Sequence, residues 1–258
     1  MAPILARCRL CLREATLQDS HFIPKAAYRY LRMIGGLGNP NPTFLSKDKM
    51  VQTSHQMSDY LLCSACEQRF NARGEGWCLK HCDRGRGRFR LREILESHTP
   101  RWNIKGFRVY DGDSIPEIDT KALVYFGLSV FWRAAVHTWK TPKGTVAIEL
   151  GPYEEPLRRF LLDEIPFPPK MVITVRVSDL GNMFWTPVEK NKSEFRIFAF
   201  GMLGLEFTFV TGSKIPPEFF ALGTAPDFRK SIWRVQSRDN ELFADMVSIY
   251  KAAASSAS

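Results

Sequence analysis

The chain has 258 residues, of which 45% are hydrophobic and 24% charged, a balance that excludes a fully disordered polymer and leaves room for one large core or two modest ones. Its formal net charge is +9, and the excess is uneven: residues 1–100 hold 16 Lys or Arg against 9 Asp or Glu, while the rest hold 20 against 18. A basic N-terminal third excludes a self-solvating acidic chain and is the electrostatic footprint of a nucleic-acid binder.

The opening MAPILARCRLC lacks a charged stretch followed by an apolar one, so no secretory signal is expected and a cytoplasmic location follows. In a reducing compartment the six cysteines, at 8, 11, 63, 66, 78 and 82, read as metal ligands before they read as disulfides. Residues 1–82 form one unit defined by them. Cys8-x2-Cys11 opens it as a knuckle, and Ser20–Ile23 reads as a short strand stopped by Pro24. KAAYRYLRM, 25–33, has helical spacing, and GGLGNPNPTF is a loop. A second strand is expected near Asp59–Leu62. Cys63 then begins a helix that runs to about Arg73, stopped by Gly74 and Gly76.

Cys63-x2-Cys66 is a second knuckle. Two such pairs have the spacing of a tetrahedral structural zinc site, with Cys8, Cys11, Cys63 and Cys66 as its ligands. Four thiolates on one Zn²⁺ carry a net −2, which lowers the basic excess of this third to about +5. CLKHC supplies Cys78, His81 and Cys82 with no evident fourth ligand. The main reading is small buried thiols and a surface imidazole, the alternative a second metal.

Residues 83–100, DRGRGRFRLREILESHTP, read as a flexible basic linker leading into a helix that carries Leu91, Ile94 and Leu95. If extended, Arg84, Arg86, Arg88, Arg90 and Arg92 would share one face and could track a phosphate backbone; a solvated linker is the alternative. From 101 to 252 a mixed α+β domain of unknown role is expected. WNIKGFRVYDG suggests a strand and turn, and TKALVYFGLSVFWRAAVHTWK the strongest helix of the chain. Its apolar run, Ala122–Trp132, is about half the length that spans a bilayer, so it reads as a buried helix and no membrane partner is expected. Arg133 and His137 would share a face of it, as a core-edge ion pair or as a contact to phosphate or an effector. YEEPLRRFLLD is a shorter helix. MVITVRVSDL, EFRIFAFG and LEFTFVTG read as strands, the last two joined at Gly201–Gly204 in a hairpin. SRDNELFADMVSIYKAA closes the chain as an amphipathic helix with Leu242, Met246 and Ile249 on one face, before the AAASSAS tail.

A knuckle, a hairpin and a helix-borne second knuckle is the order of a treble clef, in which zinc fixes hairpin to helix. On such a frame His21 leaves the first strand, and Glu67, Asn71 and Glu75, at i, i+4 and i+8, form one helix stripe. An imidazole beside a carboxylate is a minimal phosphodiesterase site. The imidazole takes a proton from water, and the carboxylate holds a hard divalent cation such as Mg²⁺ or Mn²⁺. Lys25 is placed to hold phosphate.

These residues carry a resemblance. CxxC, then Ser20-His21-x-Ile23-Pro24, then LLCxxCE over about the first 80 residues resembles the HNH, or ββα-metal, endonuclease superfamily. The resemblance implies His21 as general base, Glu67 as helix-borne metal ligand and Ser20 where an Asp ligand is usual. Asp59 falls near the central Asn, for which Asn71 or His55 could compensate. Implied with them is nucleic acid, chiefly DNA, as substrate; Lys25 and, from the basic run, Arg84, Arg86 and Arg88 are the residues placed to contact its backbone. A regulatory ligand or protein would act at the C-terminal domain. Ser20 and Glu67 depart from the family pattern, so two alternatives stay open: a zinc-dependent nucleic-acid-binding module that does not cut, or a protein-interaction scaffold.

Overall fold

A computed structural model describes residues 3–34, 41, 43–46, 49–104, 107–142, 144–179, 184–192, 194–223 and 231–235. The closing helix with Leu242, Met246 and Ile249, the tail and much of the Gly/Pro/Asn loop lie outside the described residues. Among the described residues no helix is long and apolar enough to cross a membrane.

β1 (Leu5–Arg7) and β2 (Glu14–His21) pair antiparallel around the first cysteine pair. The turn between them puts Leu12 at φ 62° and donates its amide back to the Cys8 carbonyl at 2.9 Å. Pro24 ends the extended chain, and α1 (Lys25–Ile34) follows with Ala27, Tyr28 and Leu31 buried. β3 (Thr43–Ser46) and β4 (Lys49–Gln52) form a hairpin. β5 (Ser58–Cys63) then pairs with β2, with a bulge between Gln18 and Asp19.

The helix after Cys63 does not stop at the glycines. It runs as α2 (Ser64–Phe70), a π turn over Asn71–Glu75 and α3 (Gly76–His81). The reason lies in packing. A Cβ on Gly74 would stand 2.8 Å from the Phe126 amide nitrogen and 3.0 Å from the Ala122 carbonyl, so the glycine lets two helix backbones cross.

Next come α4 (Arg90–Glu96), β6 (Trp102–Ile104), β7 (Phe107–Asp111), α5 (Thr120–Val136), the hairpin β8 (Trp139–Thr141) and β9 (Gly144–Val146), and α6 (Glu154–Leu161). β10 (Met171–Val177), β11 (Phe184–Lys192), β12 (Phe195–Met202), β13 (Leu205–Gly212), α7 (Pro217–Leu222) and β14 (Ser231–Val235) complete the described chain. It is a mixed α+β protein. Among the described residues nine strands form one sheet in the order β4-β3-β11-β12-β13-β10-β14-β7-β6, with β3/β11 and β10/β14 parallel. The hairpin 43–52 from the N-terminal third is thus an edge of the sheet that the C-terminal half builds.

α5 starts with the Asp119 carboxylate accepting from the Ala122 amide, an N-cap. It lies between the 64–81 helix and one sheet face. Leu123, Phe126, Leu128, Phe131 and Trp132 are buried along it, each contributing about 1.5–3 kcal/mol by removal from water. At Gly127 an added Cβ would meet Phe207 at 2.5 Å and Ile173 at 2.7 Å, so this helix also sits against the sheet with no room for a methyl. Val172, Ile197, Val210 and Trp233 pack with Phe219 of α7 in a separate cluster from the main core. β10 is buried along its whole length, which explains the unbroken run MVITVRV, and its Arg176 pairs with Glu206 on β13.

The stretch 83–100 is packed rather than a flexible linker. Asp83 bridges to Phe89, its amide donates to the Leu203 carbonyl at 2.9 Å, and Phe89, Leu91, Ile94 and Leu95 are buried. The turn at Leu203–Gly204, both at positive φ, joins β12 to β13 and lies against Phe89.

Candidate functional site

The β1–β2 turn supplies Cys8 and Cys11. The end of β5 supplies Cys63, and the first turn of α2 supplies Cys66. Their four sulfurs lie within 4.8 Å of one another, and Cys11 and Cys63 are 3.9 Å apart. A tetrahedron with Zn–S bonds of ~2.3 Å has edges of about 3.8 Å. The soft, closed donor set fits a structural zinc. The Cys66 thiol donates to the Cys8 sulfur and backbone amides converge on it, which holds Cys8 well below the usual thiol range; the same exchange pushes Cys66 up. Burial raises Cys11. The cluster therefore already favours a thiolate at one corner, and metal would displace the remaining protons. From the other side, Arg158 of α6 donates to the Leu10 carbonyl at 2.6 Å and latches the knuckle.

His21 is the last residue of β2 and is half-buried. Its Nδ1 lies 3.2 Å from the Asp19 carbonyl and its Nε2 3.2 Å from Oε1 of Gln56. An Nδ1–H donated to that carbonyl leaves the lone pair on Nε2, the tautomer a general base needs, and a half-turn of the Gln56 amide would cap it with NH₂. Next to it, Ser20 is fully buried and faces the other way, as strand alternation requires. Its Oγ accepts from the Leu62 amide at 3.1 Å and donates to the Gln18 carbonyl, so it serves the bulge. Ser20 and His21 are not brought to one side as ligand and base.

The expected stripe of Glu67, Asn71 and Glu75 is broken by the π turn, whose wider winding rotates every residue beyond it. Asn71 is exposed. Glu75 is buried and pairs with Arg133. Glu67 is half-buried, and its Oε1 is buried with no hydrogen-bond partner among the described residues. An orphaned carboxylate oxygen is a place where a cation fits. Asp59 lies opposite Ser20 in the β2–β5 register. Among the described residues the four cysteines are the one group of three or more His, Cys, Asp or Glu gathered this closely. His21 and Glu67 do not join a second.

The sequence singled out Arg133 and His137, but not what they hold. α5 ends at Val136, and His137 is extended, so the two do not share a helix face. Instead residues 133–140 clasp the N-terminal unit. Arg133 Nη1 donates to the Phe22 carbonyl at 3.5 Å, its guanidinium lies 4.5 Å from the Phe70 ring, and its carbonyl accepts from Trp139 Nε1 at 2.8 Å. The Trp139 ring packs 5.2 Å from Phe22. His137 Nε2 is 3.0 Å from the Asp59 carboxylate, and His55 Nε2 donates to the Lys140 carbonyl at 3.1 Å. Arg133 placed after a long apolar run was the visible signal of a buried, paired charge.

The arginine run does not share a face either. Gly85, Arg86 and Gly87 all have positive φ and turn the chain back on itself. Arg90 pairs with Glu93 and Arg92 with Asp179, while Arg86, Arg88 and Lys25 are exposed. In CLKHC, Cys78 and Cys82 are buried, and His81 stacks on Trp77 at 3.8 Å with its Nδ1–H donated to the Trp77 carbonyl. Burial pushes Cys82 up to about 12 and lowers His81. Those are the features of packed thiols and an imidazole held by its own helix.

Comparison of the chain with protein-family models, with curated proteins and with solved structures finds no match.

Proposed function

We propose that the chain is a metal-dependent phosphodiesterase acting on DNA, built on a zinc-bound treble clef of the ββα-metal, or HNH, type. One observation carries this reading: the cysteine cluster ties the strand that ends in His21 to the helix whose first turn bears Glu67. His21, oriented through Nδ1 by the Asp19 carbonyl, would take a proton from the attacking water at Nε2 once Gln56, which faces that nitrogen at 3.2 Å, gives way to it. Glu67, with its unpartnered oxygen, is the residue that would hold Mg²⁺ or Mn²⁺. A divalent cation there supplies charge stabilisation at the departing 3′ oxygen. Lys25, one helix start beyond His21, holds the phosphate.

The test is nicking of supercoiled plasmid by zinc-loaded protein with Mg²⁺, Mn²⁺ or neither. His21→Ala is expected to lower the rate by roughly 10²–10⁴-fold, the range of one acid–base group. An unchanged rate in His21→Ala sinks the assignment. A second reading, a zinc module that binds nucleic acid without cutting, is favoured by Ser20: its inward Oγ leaves the usual acidic ligand without a replacement. That reading expects salt-sensitive retention of DNA and no metal-dependent product.

A further inference from the structure

α1 carries Lys25, Arg29 and Arg32 at i, i+4 and i+7, and its ten residues contain no acid. Those spacings place three cations along one side of the helix, over about 10 Å. The buried side, Ala27, Tyr28 and Leu31, faces the core. Beside it runs the turn Asp83–Phe89, and one ring joins the two: the guanidinium of Arg29 lies 5.6 Å from the Tyr30 centroid and that of Arg84 5.1 Å from it. Two like charges are thus held against one aromatic ring. No carboxylate among the described residues pairs with Arg29, Arg32, Arg84, Arg86 or Arg88; Asp83, the acid of the turn, accepts from the Gly85 amide at 2.7 Å. The Arg84 Nε is buried with no partner among the described residues. Arg86, at φ 55° between two glycines, and Arg88 are exposed at the tip.

Held cations without anions repel one another, and the arrangement is stabilised by an anion that bridges them. Tyr30 already has two guanidiniums at 5.6 and 5.1 Å from its centroid, so its ring is engaged by cations rather than presented to bases, which favours a duplex over a single strand. The spacing suits a phosphate ladder: at ~3.4 Å of rise per phosphate on one strand, 10 Å of helix faces about three. We propose that the outer side of α1 and the 84–88 turn, joined at Arg29–Tyr30–Arg84, form one track for the phosphate backbone of double-stranded DNA, starting four residues from His21. The inference rests on nucleic acid being the ligand, not on cleavage. It adds Arg29, Arg32 and Tyr30 to the contacts and excludes the single extended arginine face.

The test is anisotropy of a labelled duplex with the zinc-loaded full chain, without added Mg²⁺ or Mn²⁺, over 50–200 mM salt. Arg29→Ala, Arg84→Ala and Arg86→Ala are each expected to weaken binding several-fold at low salt and to reduce the slope of log K against log salt by about one. Arg84→Lys, which keeps the charge and loses the planar stack, should fall between. Lys214→Ala, an equal charge change just beyond β13 where Lys214 pairs with Glu194, should match the parent. A melting curve for each variant separates lost binding from lost folding. Parent-like slopes in all three alanine variants overturn the track, as does equal or tighter binding of a single strand, or binding to anionic phospholipid vesicles but not to duplex. The two proposals fail separately. Absent nicking with this arginine pattern removes catalysis and leaves the track. Nicking with a flat arginine series removes the track and leaves catalysis.

Discussion

The two regions of the molecule are held together by different means. In the N-terminal unit a three-stranded sheet of short strands, β1-β2-β5, meets a helix, and the cysteine cluster sits where they meet. In the C-terminal half, β10, β12 and β13 bury Phe198, Phe200, Phe207 and Phe209 against α5, with no metal-ligating cluster among the described residues. Leu10, Phe22, Ile23, Leu61, Leu62 and Phe70 of the N-terminal unit are buried in the same core as α5, while its outer edge leaves Ile4, Leu5 and Tyr60 exposed, and there the four clustered cysteines, which fit a structural zinc, would add the constraint that short strands lack. The comparison teaches where a precise site can be afforded in a small frame. Chelation fixes a few atoms tightly, whereas aromatic packing fixes a whole layer.

Metal removal is the largest expected break. Structural zinc supplies binding energy comparable to or above the ~5–15 kcal/mol that holds a typical domain. Chelation, or Cys63→Ser, should expose the amides of 58–81 to hydrogen exchange while those of β10–β13 stay protected. Simultaneous loss of both would show instead that the 133–140 clasp makes the halves one cooperative unit. Next in size is Arg133→Met, which strands Glu75 as a buried charge and should cost about 3–5 kcal/mol in urea unfolding. Adding Glu75→Leu should recover most of that loss. If the double variant is no better than the single, the guanidinium's contacts to the Phe22 carbonyl and the Phe70 ring, not the charge pair, carry the coupling.

Smaller effects sharpen the contrast between backbone and side-chain packing. Gly74→Ala meets helix backbone, and Gly127→Ala meets the ends of Phe207 and Ile173. Overpacking costs ~1–3 kcal/mol, and Gly74→Ala should lie at the upper end because backbone cannot swing aside. Equal melting-temperature losses would contradict this. The smallest effect is a pH term. Burial alone would raise Asp179, but hydrogen bonds from Arg234 and Arg92 outweigh it and hold the carboxyl below its ordinary value of 3.8. A depressed folded value means the contribution is complete above the unfolded value and is lost as pH falls through the folded one. Stability from this network should be flat between pH 7 and 5 and decline below 4, and Asp179→Asn should remove that decline.

Much of this was legible in the residues. Knuckle spacing located the four sulfurs, and alternating or β-branched runs located β10, β12 and β13. What failed were inferences that took a residue's local habit as its role. Gly74 and Gly76 look like helix stops, yet Gly74 serves a crossing with Phe126 and Ala122, 48 or more residues away. Periodicity predicted one stripe for Glu67, Asn71 and Glu75, but a single π turn rephases it, and nothing in NARGE announces one. The Arg-Gly alternation reads as a flexible chain, while the buried Phe89 inside it anchors the turn. β11, with Pro187 inside it and irregular pairing to β12, carried too weak a pattern to be read as a strand.

The hairpin 43–52 has a consequence for how the protein is made. Its strand β3 pairs with β11 through Phe44 and Phe184, positions 140 residues apart. At ~5–20 residues per second of synthesis, the first strand waits on the order of ten seconds for its partner to leave the ribosome. The cysteine unit can close long before that, so the nascent chain would carry its gathered cysteines with an unpaired strand edge beside them. Translation speed and chaperone capture over that interval, rather than the final stability, would set the yield of the folded protein.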